Sequence, residues 1–139
     1  MTKLKIGSVL ILDFGSQYTQ LIARRVRENN VFSEILSPDT SLKTIVSKKP
    51  KAIILSGGPA SVFTDKTPIF DEDILNIDVP ILGICYGLHL LVHNNGGIVK
   101  STGEGEYGFA TIKLNIDKGI TKNMSNSSKV WMSHMDQVT

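Results

Sequence analysis

Cysteine is nearly absent from this chain, which has one among its 139 residues. A single cysteine cannot form an internal disulfide, and this predicts a reducing compartment. The N-terminal region also lacks a long apolar run, because the run Val9 to Leu12 ends at Asp13. Such a run is too short for a signal peptide or a membrane span. The sequence therefore predicts a cytoplasmic protein with no membrane contact.

The charges show little excess of one sign. Fifteen lysines and arginines face thirteen aspartates and glutamates, which leaves a formal net charge of +2, and the basic residues are spread along the chain. Nucleic-acid binding normally requires a clustered basic patch, so this class of function is excluded. The sequence has no internal repeat and no low-complexity segment. A chain of this length with 41% hydrophobic residues is expected to form one globular domain.

Apolar runs and amphipathic segments alternate along the first two thirds of the chain. The predicted strands are Ser8–Asp13, Val31–Leu36, Ala52–Ser56 and the buried run Ile81–Ile84. The predicted helices are a helix capped by Ser16 that runs to Glu28, a short helix capped by Asp39 or Thr40, Ile69–Asn76 and Tyr86–Asn95. The first helix is expected to face the core with Tyr18, Leu21, Ile22 and Val26. This alternation predicts an α/β fold, an open and mostly parallel sheet with helices on both faces.

The last third of the chain has a different pattern. The pair Gly96-Gly97 predicts the end of the last helix. Short alternating segments follow at Ile98–Lys100, Tyr107–Leu114 and Lys129–Ser133. These segments predict a few antiparallel strands.

Cys85 lies where the fourth predicted strand ends and the following helix begins. Gly83 and Gly87 leave room for a tight strand-to-helix turn, which would hold the thiol exposed at the helix N-terminus. The N–H groups and the dipole at that end of a helix favour the thiolate form. The pattern therefore predicts a nucleophilic cysteine. The alternative is an inert core cysteine, which is the commoner role of a lone cysteine in a cytosolic protein.

A second turn is expected beside Cys85. The third predicted strand runs into the turn Ser56–Pro59, whose two glycines allow the backbone to approach a ligand closely. The carboxyl ends of parallel strands meet at one edge of a sheet. Gly57, Gly58 and Cys85 are therefore predicted to lie on the same rim.

Three weaker patterns suggest other kinds of site. Cys85, His89 and His93 recur at helical spacing, but a zinc site normally needs further ligands from elsewhere, and no metal site is predicted. The segment Gly103–Gly108 matches the dinucleotide-binding fingerprint, but its glutamates would repel a pyrophosphate and a helix should follow it. His134 could serve as the base for Cys85 or could be a structural or substrate-loop histidine.

Five segments resemble known sequences. They are Asp13–Glu28 (DFGSQYTQLIARRVRE), Leu55–Pro59 (LSGGP), Gly83–Gly87 (GICYG), Glu106–Gly108 (EYG) and Val130–His134 (VWMSH). The GICYG segment resembles the nucleophile motif of class I, triad-type glutamine amidotransferases. Together the segments look like the glutaminase domains of the GMP synthetase family, and the similarity spans nearly the whole chain.

The resemblance implies a role for each matching residue. Cys85 would attack the side-chain amide of glutamine and form a thioester, and the backbone N–H groups of Gly58 and Tyr86 would form the oxyanion hole. The residues expected to bind glutamine are Gly57, His89, Ser133, His134, Met135 and Asp136. This chain has His89 where the family usually has glutamine, and Met135 where it usually has glycine.

The resemblance also implies partners. The released ammonia would pass to a synthetase domain, in cis or on a partner subunit, that uses Mg-ATP to aminate XMP to GMP. The glutaminase domain itself would need no cofactor, and the whole enzyme is expected to be a homo-oligomer. The cluster Arg24, Arg25 and Arg27 is either a solvated helix face or a contact with that synthetase domain.

Residues 1–139 are thus expected to form a glutamine amidotransferase domain that stops before the family's catalytic histidine and glutamate. No ATP-pyrophosphatase loop is found in the sequence, and weak activity or none is expected of this chain alone. Two alternatives stay open: another cysteine hydrolase on the same fold, and a non-catalytic binding or regulatory domain.

Overall fold

The computed structural model describes residues 8–63, 67–115 and 118–139, without the side chains of residues 102–104. The described residues form two compact units. The first unit runs to Val99 and includes Val138 and Thr139, and the second unit is Lys100–Gln137. No helix in this described part of the chain is long and apolar enough to cross a membrane.

A parallel sheet of four strands forms the centre of the first unit. The strands are β1 (Val9–Leu12), β2 (Ser33–Leu36), β3 (Ala52–Leu55) and β4 (Ile81–Gly83). Their order in the sheet is β2-β1-β3-β4, and every neighbouring pair is parallel. The four strands predicted from the apolar runs are confirmed, each slightly shorter than predicted.

Successive side chains of a strand point to opposite faces of a sheet, and in this sheet the side chains on both faces are buried. A larger cluster on one face joins strand residues to helical ones: Leu10, Leu12, Ile53 and Leu55 with Ile45, Ile74, Tyr86 and Leu90. A smaller cluster on the other face joins Ile11 and Ile54 to Ala23. Helices therefore cover both faces, which confirms the predicted architecture.

The helical segments of the first unit are α1 (Thr19–Glu28), α2 (Leu42–Ser47), a 3-10 segment (Glu72–Asn76) and α3 (Tyr86–Asn94). The predicted caps Asp39 and Thr40 are wrong, because the Ser41 hydroxyl accepts the N–H of Thr44 at the start of α2. The predicted helix from Ile69 is wrong in extent, since only the 3-10 segment forms. Asp71 fixes that segment at its start by accepting the N–H groups of Asp73 and Leu42.

The helix α1 begins at Thr19, with Tyr18 rather than the predicted Ser16 at its N-cap, and packs on the sheet through small residues. Its buried residues are Thr19 and Ala23. The expectation that Tyr18 and Leu21 face the core is wrong, because they are 50% and 43% exposed. The other two predicted core-facing residues do pack against the smaller cluster, and they are Ile22 and Val26.

The strand β4 forms one edge of the sheet. Leu82 is 38% exposed, although the apolar run predicted its burial. Leu82 is paired with Ile54 and so lies on the same face as the smaller cluster. On that face α1 packs against β1 and β2, at the far side of the sheet from β4. The helix therefore does not cover Leu82.

The second unit is built on a two-stranded antiparallel sheet of β5 (Val99–Lys113) and β6 (Ser127–Val138), whose end residues Val99 and Val138 belong to the first unit. The predicted antiparallel strands are confirmed, but they are longer than expected. The two segments predicted at Ile98–Lys100 and Tyr107–Leu114 are parts of one strand, β5. Phe109 and Trp131 pack edge to face between the strands, with ring centroids 5.0 Å apart.

Candidate active site

Cys85 has a backbone conformation that few residues other than glycine adopt. Its φ is 49° and its ψ is −114°, and its side chain is exposed. Such a conformation costs on the order of 1–3 kcal/mol and persists only where the surrounding structure enforces it. Ile84 and Cys85 turn the chain from the end of β4 into α3, which begins at Tyr86. The predicted strand-to-helix turn at Cys85 is confirmed.

Gly83 and Gly87 make this turn possible. A Cβ atom on Gly87 would lie 2.2 Å from the carbonyl oxygen of Leu55. A Cβ atom on Gly83 would lie 2.7 Å from the carbonyl carbon and oxygen of Gly87. Contacts this short cannot be accommodated in a close-packed interior without moving the backbone. The predicted need for small residues on both sides of Cys85 is confirmed.

The turn Ser56–Pro59, which follows β3, lies beside Cys85. A Cβ atom on Gly57 would lie 3.1 Å from the Cβ of Cys85. A Cβ atom on Gly58 would lie 2.0 Å from the carbonyl oxygen of Phe14, so no side chain fits there. The two glycines therefore lie between the segment after β1 and the cysteine turn. The predicted proximity of this turn to Cys85 is confirmed at Gly57.

Asp13 orders the segment after β1. Its carboxylate accepts the N–H of Gly15 and the hydroxyl of Thr19, each at 2.9 Å. Gly15 has a φ of 97°, and a Cβ atom on it would lie 3.4 Å from Cδ of Pro59. Loops after β1, β3 and β4 thus meet at one edge of the sheet, where parallel α/β folds bind ligands.

Ser56 connects these three loops, and no role was predicted for it from the sequence. It is fully buried, and its hydroxyl accepts the N–H of Phe14 and donates to the carbonyl of Gly57, both at 3.0 Å. Its own carbonyl accepts the N–H of Gly87 at 3.2 Å. Its position directly after the apolar run Ala52–Leu55 could have indicated this role from the sequence. A hydroxyl buried at the end of such a strand needs hydrogen-bond partners.

Tyr86 is the first residue of α3, and the first N–H groups of a helix have no acceptor within the helix. Tyr86 is 2% exposed, and its ring packs on that of Phe14 with centroids 5.2 Å apart. Burial raises the pKa of the Tyr86 phenol above its ordinary value of 10.0. The ring therefore anchors the start of α3 in the larger cluster.

Tyr86→Phe should make the protein less sensitive to alkali. The folded state holds the phenol proton more tightly, so the unfolded chain releases it first, and stability falls as the pH rises through the folded pKa. Phenylalanine has no proton to lose. Urea unfolding at about pH 8 and about pH 11 should show a smaller decrease in the free energy of unfolding for the variant. Tyr107→Phe removes an exposed phenol and serves as the control. An equal decrease in the parent and Tyr86→Phe would contradict the prediction.

The helix α3 carries two histidines after Cys85. His89 is buried, whereas His93 is exposed and its ring centroid lies 6.5 Å from that of Phe63. Within the residues that the structure describes, no group of three or more His, Cys, Asp or Glu side chains could hold a metal ion. The dinucleotide-binding alternative at Gly103–Gly108 is wrong, because this segment lies inside the strand β5, whereas the fingerprint should lie at the start of a helix.

In the second unit, His134 is engaged at both ring nitrogens. Its Nδ1 lies 2.9 Å from the carbonyl oxygen of Asp136, and its Nε2 lies 3.0 Å from a carboxylate oxygen of Glu106. A carbonyl and a carboxylate only accept hydrogen bonds, so each ring nitrogen of His134 faces an acceptor. Ser133 and Met135 are exposed, and Asp136 is buried. The pairing with Glu106, which was not predicted, favours a structural role for His134 over that of a base.

These features can be compared with known proteins. The family model described as glutamine amidotransferase class-I matches residues 10–139. This chain belongs to the class-I glutamine amidotransferases. The family membership predicted from the GICYG segment and its companions is therefore confirmed.

Two curated relatives of this class-I amidotransferase chain illustrate the similarity. The GMP synthase (glutamine-hydrolyzing) of Campylobacter lari is 50% identical over 135 residues, which cover 97% of this chain and 26% of the relative. The protein of the same name from Trichormus variabilis is 49% identical over 131 residues, which cover 94% of this chain and 24% of the relative. The chain thus spans about a quarter of the length of these relatives.

Two solved structures share the fold of this class-I amidotransferase chain. A protein described as a candidate GMP synthase subunit from Thermoplasma acidophilum aligns with a TM-score of 0.77 and 24% identity, over 95% of this chain and 66% of that chain. A glutamine amidotransferase from Thermotoga maritima aligns with a TM-score of 0.71 and 20% identity, over 96% and 62%. Both similarities support the α/β architecture described above.

Proposed function

We propose that this chain is the glutamine-hydrolysing domain of a GMP synthase. The observation that carries the proposal is the exposed Cys85, held in a strained turn at the start of α3 and beside Gly57 and Gly58. This is the geometry of a nucleophile presented at a helix N-terminus. The names of the curated relatives support GMP synthase as the whole enzyme.

In the proposed reaction the Cys85 thiolate attacks the carbon of the glutamine side-chain amide. Negative charge develops on the amide oxygen, and the backbone N–H groups of Gly58 and Tyr86 stabilise it. The C–N bond then breaks, and the nitrogen takes up the proton that the thiol lost and leaves as ammonia. A γ-glutamyl thioester stays on Cys85, and water hydrolyses it to glutamate and restores the thiol.

Glutamine recognition is proposed for residues matched by the family resemblance, namely Gly57, His89, Ser133, His134, Met135 and Asp136. His89 is 8% exposed, so little of its surface is open to a substrate. Met135 presents an exposed side chain where the family usually has glycine. Its backbone groups are the part that would contact glutamine.

The ammonia would be consumed by a synthetase domain that aminates XMP with Mg-ATP, on the same chain or on a partner subunit. No cofactor is proposed for the glutaminase domain itself, and the proposed setting is a homo-oligomeric enzyme of the cytoplasm. Arg24 and Arg25 are exposed on α1 and share one acidic partner, Glu28, at 3.4 and 2.9 Å. Their surplus positive charge makes α1 a candidate contact for the synthetase domain.

A chloroketone analogue of glutamine tests the proposed function, because its labelling does not depend on turnover. The analogue should label Cys85 at one equivalent per chain, and free glutamine should slow the labelling several-fold by competition, whereas asparagine should not. Mass spectrometry of the labelled peptide gives the site and the stoichiometry. Labelling that glutamine does not slow would favour another cysteine hydrolase, and no labelling would favour a non-catalytic domain.

A further inference from the structure

We infer that Ser56 is a positioning residue that orients the Gly58 N–H toward the oxyanion of the proposed reaction. The inference rests on the proposed function, in which the Gly58 N–H is an oxyanion donor. It concerns the buried hydroxyl after β3 rather than a group that touches the substrate. Four hydrogen bonds and the geometry of one peptide unit carry it.

Gly57 and Gly58 share a single peptide unit. A trans peptide is planar, so the C=O of its first residue and the N–H of its second residue point in opposite directions. No cis peptide occurs among the described residues. The Ser56 hydroxyl donates to the Gly57 carbonyl oxygen at 3.0 Å. It thereby holds one end of the unit, and the Gly58 N–H is directed away from that carbonyl.

This peptide unit needs such a hydrogen bond because it lies between two glycines. Without side chains, glycines rotate freely about the bonds on either side of a peptide plane. Packing fixes where the two residues lie, since a Cβ on Gly57 would meet Cys85 and one on Gly58 would meet Phe14. Packing of the Cα atoms does not fix the rotation of the plane between them. The Ser56 hydroxyl supplies that constraint.

Ser56 is itself held in place relative to Cys85. Its side chain is fully buried, and its hydroxyl accepts the N–H of Phe14 at 3.0 Å. Its N–H donates to the carbonyl of Leu12 at 3.1 Å, and its carbonyl accepts from Gly87 in the first turn of α3 at 3.2 Å. The direction of the Gly58 N–H is therefore set relative to the helix that begins after Cys85. A donor oriented before the reaction needs no reorganisation when charge develops.

Ser56→Ala tests this inference, with Ser33→Ala as the matched control. Ser33 is also fully buried, and its hydroxyl donates to the Ala23 carbonyl at 2.9 Å, but it lies on β2, at the opposite edge of the sheet from β4. The NMR order parameter of the Gly58 N–H should fall from about 0.85 to below about 0.6 in Ser56→Ala. It should keep its parent value in Ser33→Ala. An unchanged order parameter in Ser56→Ala overturns the inference.

Kinetics of glutamate release in the whole enzyme give a second readout. In Ser56→Ala, kcat should fall by roughly tenfold to a hundredfold with KM nearly unchanged, because the lost interaction is strongest in the transition state. Alkylation of Cys85 by iodoacetamide forms no oxyanion and should keep its parent rate. Ser33→Ala should match the parent in all three measurements. A raised KM with an unchanged kcat, or slower alkylation, would overturn the inference.

Two further outcomes are distinguishable. If Ser56→Ala does not fold, Ser56→Cys keeps a weaker donor of similar size and should show intermediate values of the order parameter and of kcat. Parent values in Ser56→Cys would then overturn the inference. If the parent enzyme releases no glutamate, the proposed function fails, while the order parameter of Gly58 still decides the role of Ser56.

Discussion

Replacing Cys85 with alanine should abolish glutamine-dependent GMP formation by the whole enzyme while leaving ammonia-dependent formation intact. Without the thiol no thioester forms, and loss of a catalytic nucleophile typically lowers kcat on the order of 10⁶-fold. Amination of the nucleotide by added ammonia is chemically separate from glutamine hydrolysis. Assays with glutamine and with ammonium salt, at the same enzyme concentration, measure the two activities.

Cys85→Gly is the matched control for effects on folding. It removes the same thiol, and glycine adopts the positive φ of this position without the strain that cysteine carries. We expect it to be inactive with glutamine and at least as stable as the parent. Loss of the ammonia-dependent activity in both variants would show that Cys85 is needed for structure rather than for chemistry.

Gly87→Ala should destabilise the first unit strongly. The added Cβ would lie 2.2 Å from the Leu55 carbonyl oxygen, so α3 must shift away from β3. The shift would also break the hydrogen bonds from the Gly87 N–H to Ser56 and Ile84. Because the close contact is with backbone atoms, the cost should lie above the about 1–3 kcal/mol typical of overpacking, and it outweighs the roughly 1 kcal/mol that alanine gains over glycine inside a helix. Thermal unfolding followed by far-ultraviolet circular dichroism measures the loss.

Gly96→Ala separates this steric effect from that of a glycine replacement as such. Gly96 has a φ of 78° after the end of α3, and a Cβ atom there would have nothing within 4 Å. Its replacement should cost only the left-handed strain of alanine, about 1–2 kcal/mol. If the thermal unfolding midpoint of Gly87→Ala is no lower than that of Gly96→Ala, the close contact with Leu55 does not destabilise the protein.

The strands and the cysteine turn were predictable because local patterns determine them. An apolar run followed by glycines is typical of a buried parallel strand that enters a tight turn, and both the four strands and the turn at Cys85 formed as expected. The exposure of Leu82 was not predictable in this way. It depends on which strands α1 covers, and the sequence of β4 carries no information about that.

The polar contacts of the site could not be predicted from local sequence patterns either. Ser56 bonds to Phe14, 42 positions away, and Glu106 pairs with His134 on the other strand of its sheet. Such partners are fixed only when the loops and strands have been brought together. The chemical roles were available by another route, since they came from a resemblance of motifs rather than from helix and strand periodicity.

The single tryptophan of the chain provides a fluorescence signal from the second unit alone. Trp131 lies on β6 in the second unit, is 62% exposed and contacts the ring of Phe109. Its fluorescence therefore reports on the antiparallel strands, whereas the circular dichroism of α1, α2 and α3 reports on the first unit. Coincident melting of the two signals would mean that both units unfold as one cooperative block, and separate melting would mean two blocks. Fluorescence alone would consequently miss a loss of structure confined to the unit that holds Cys85.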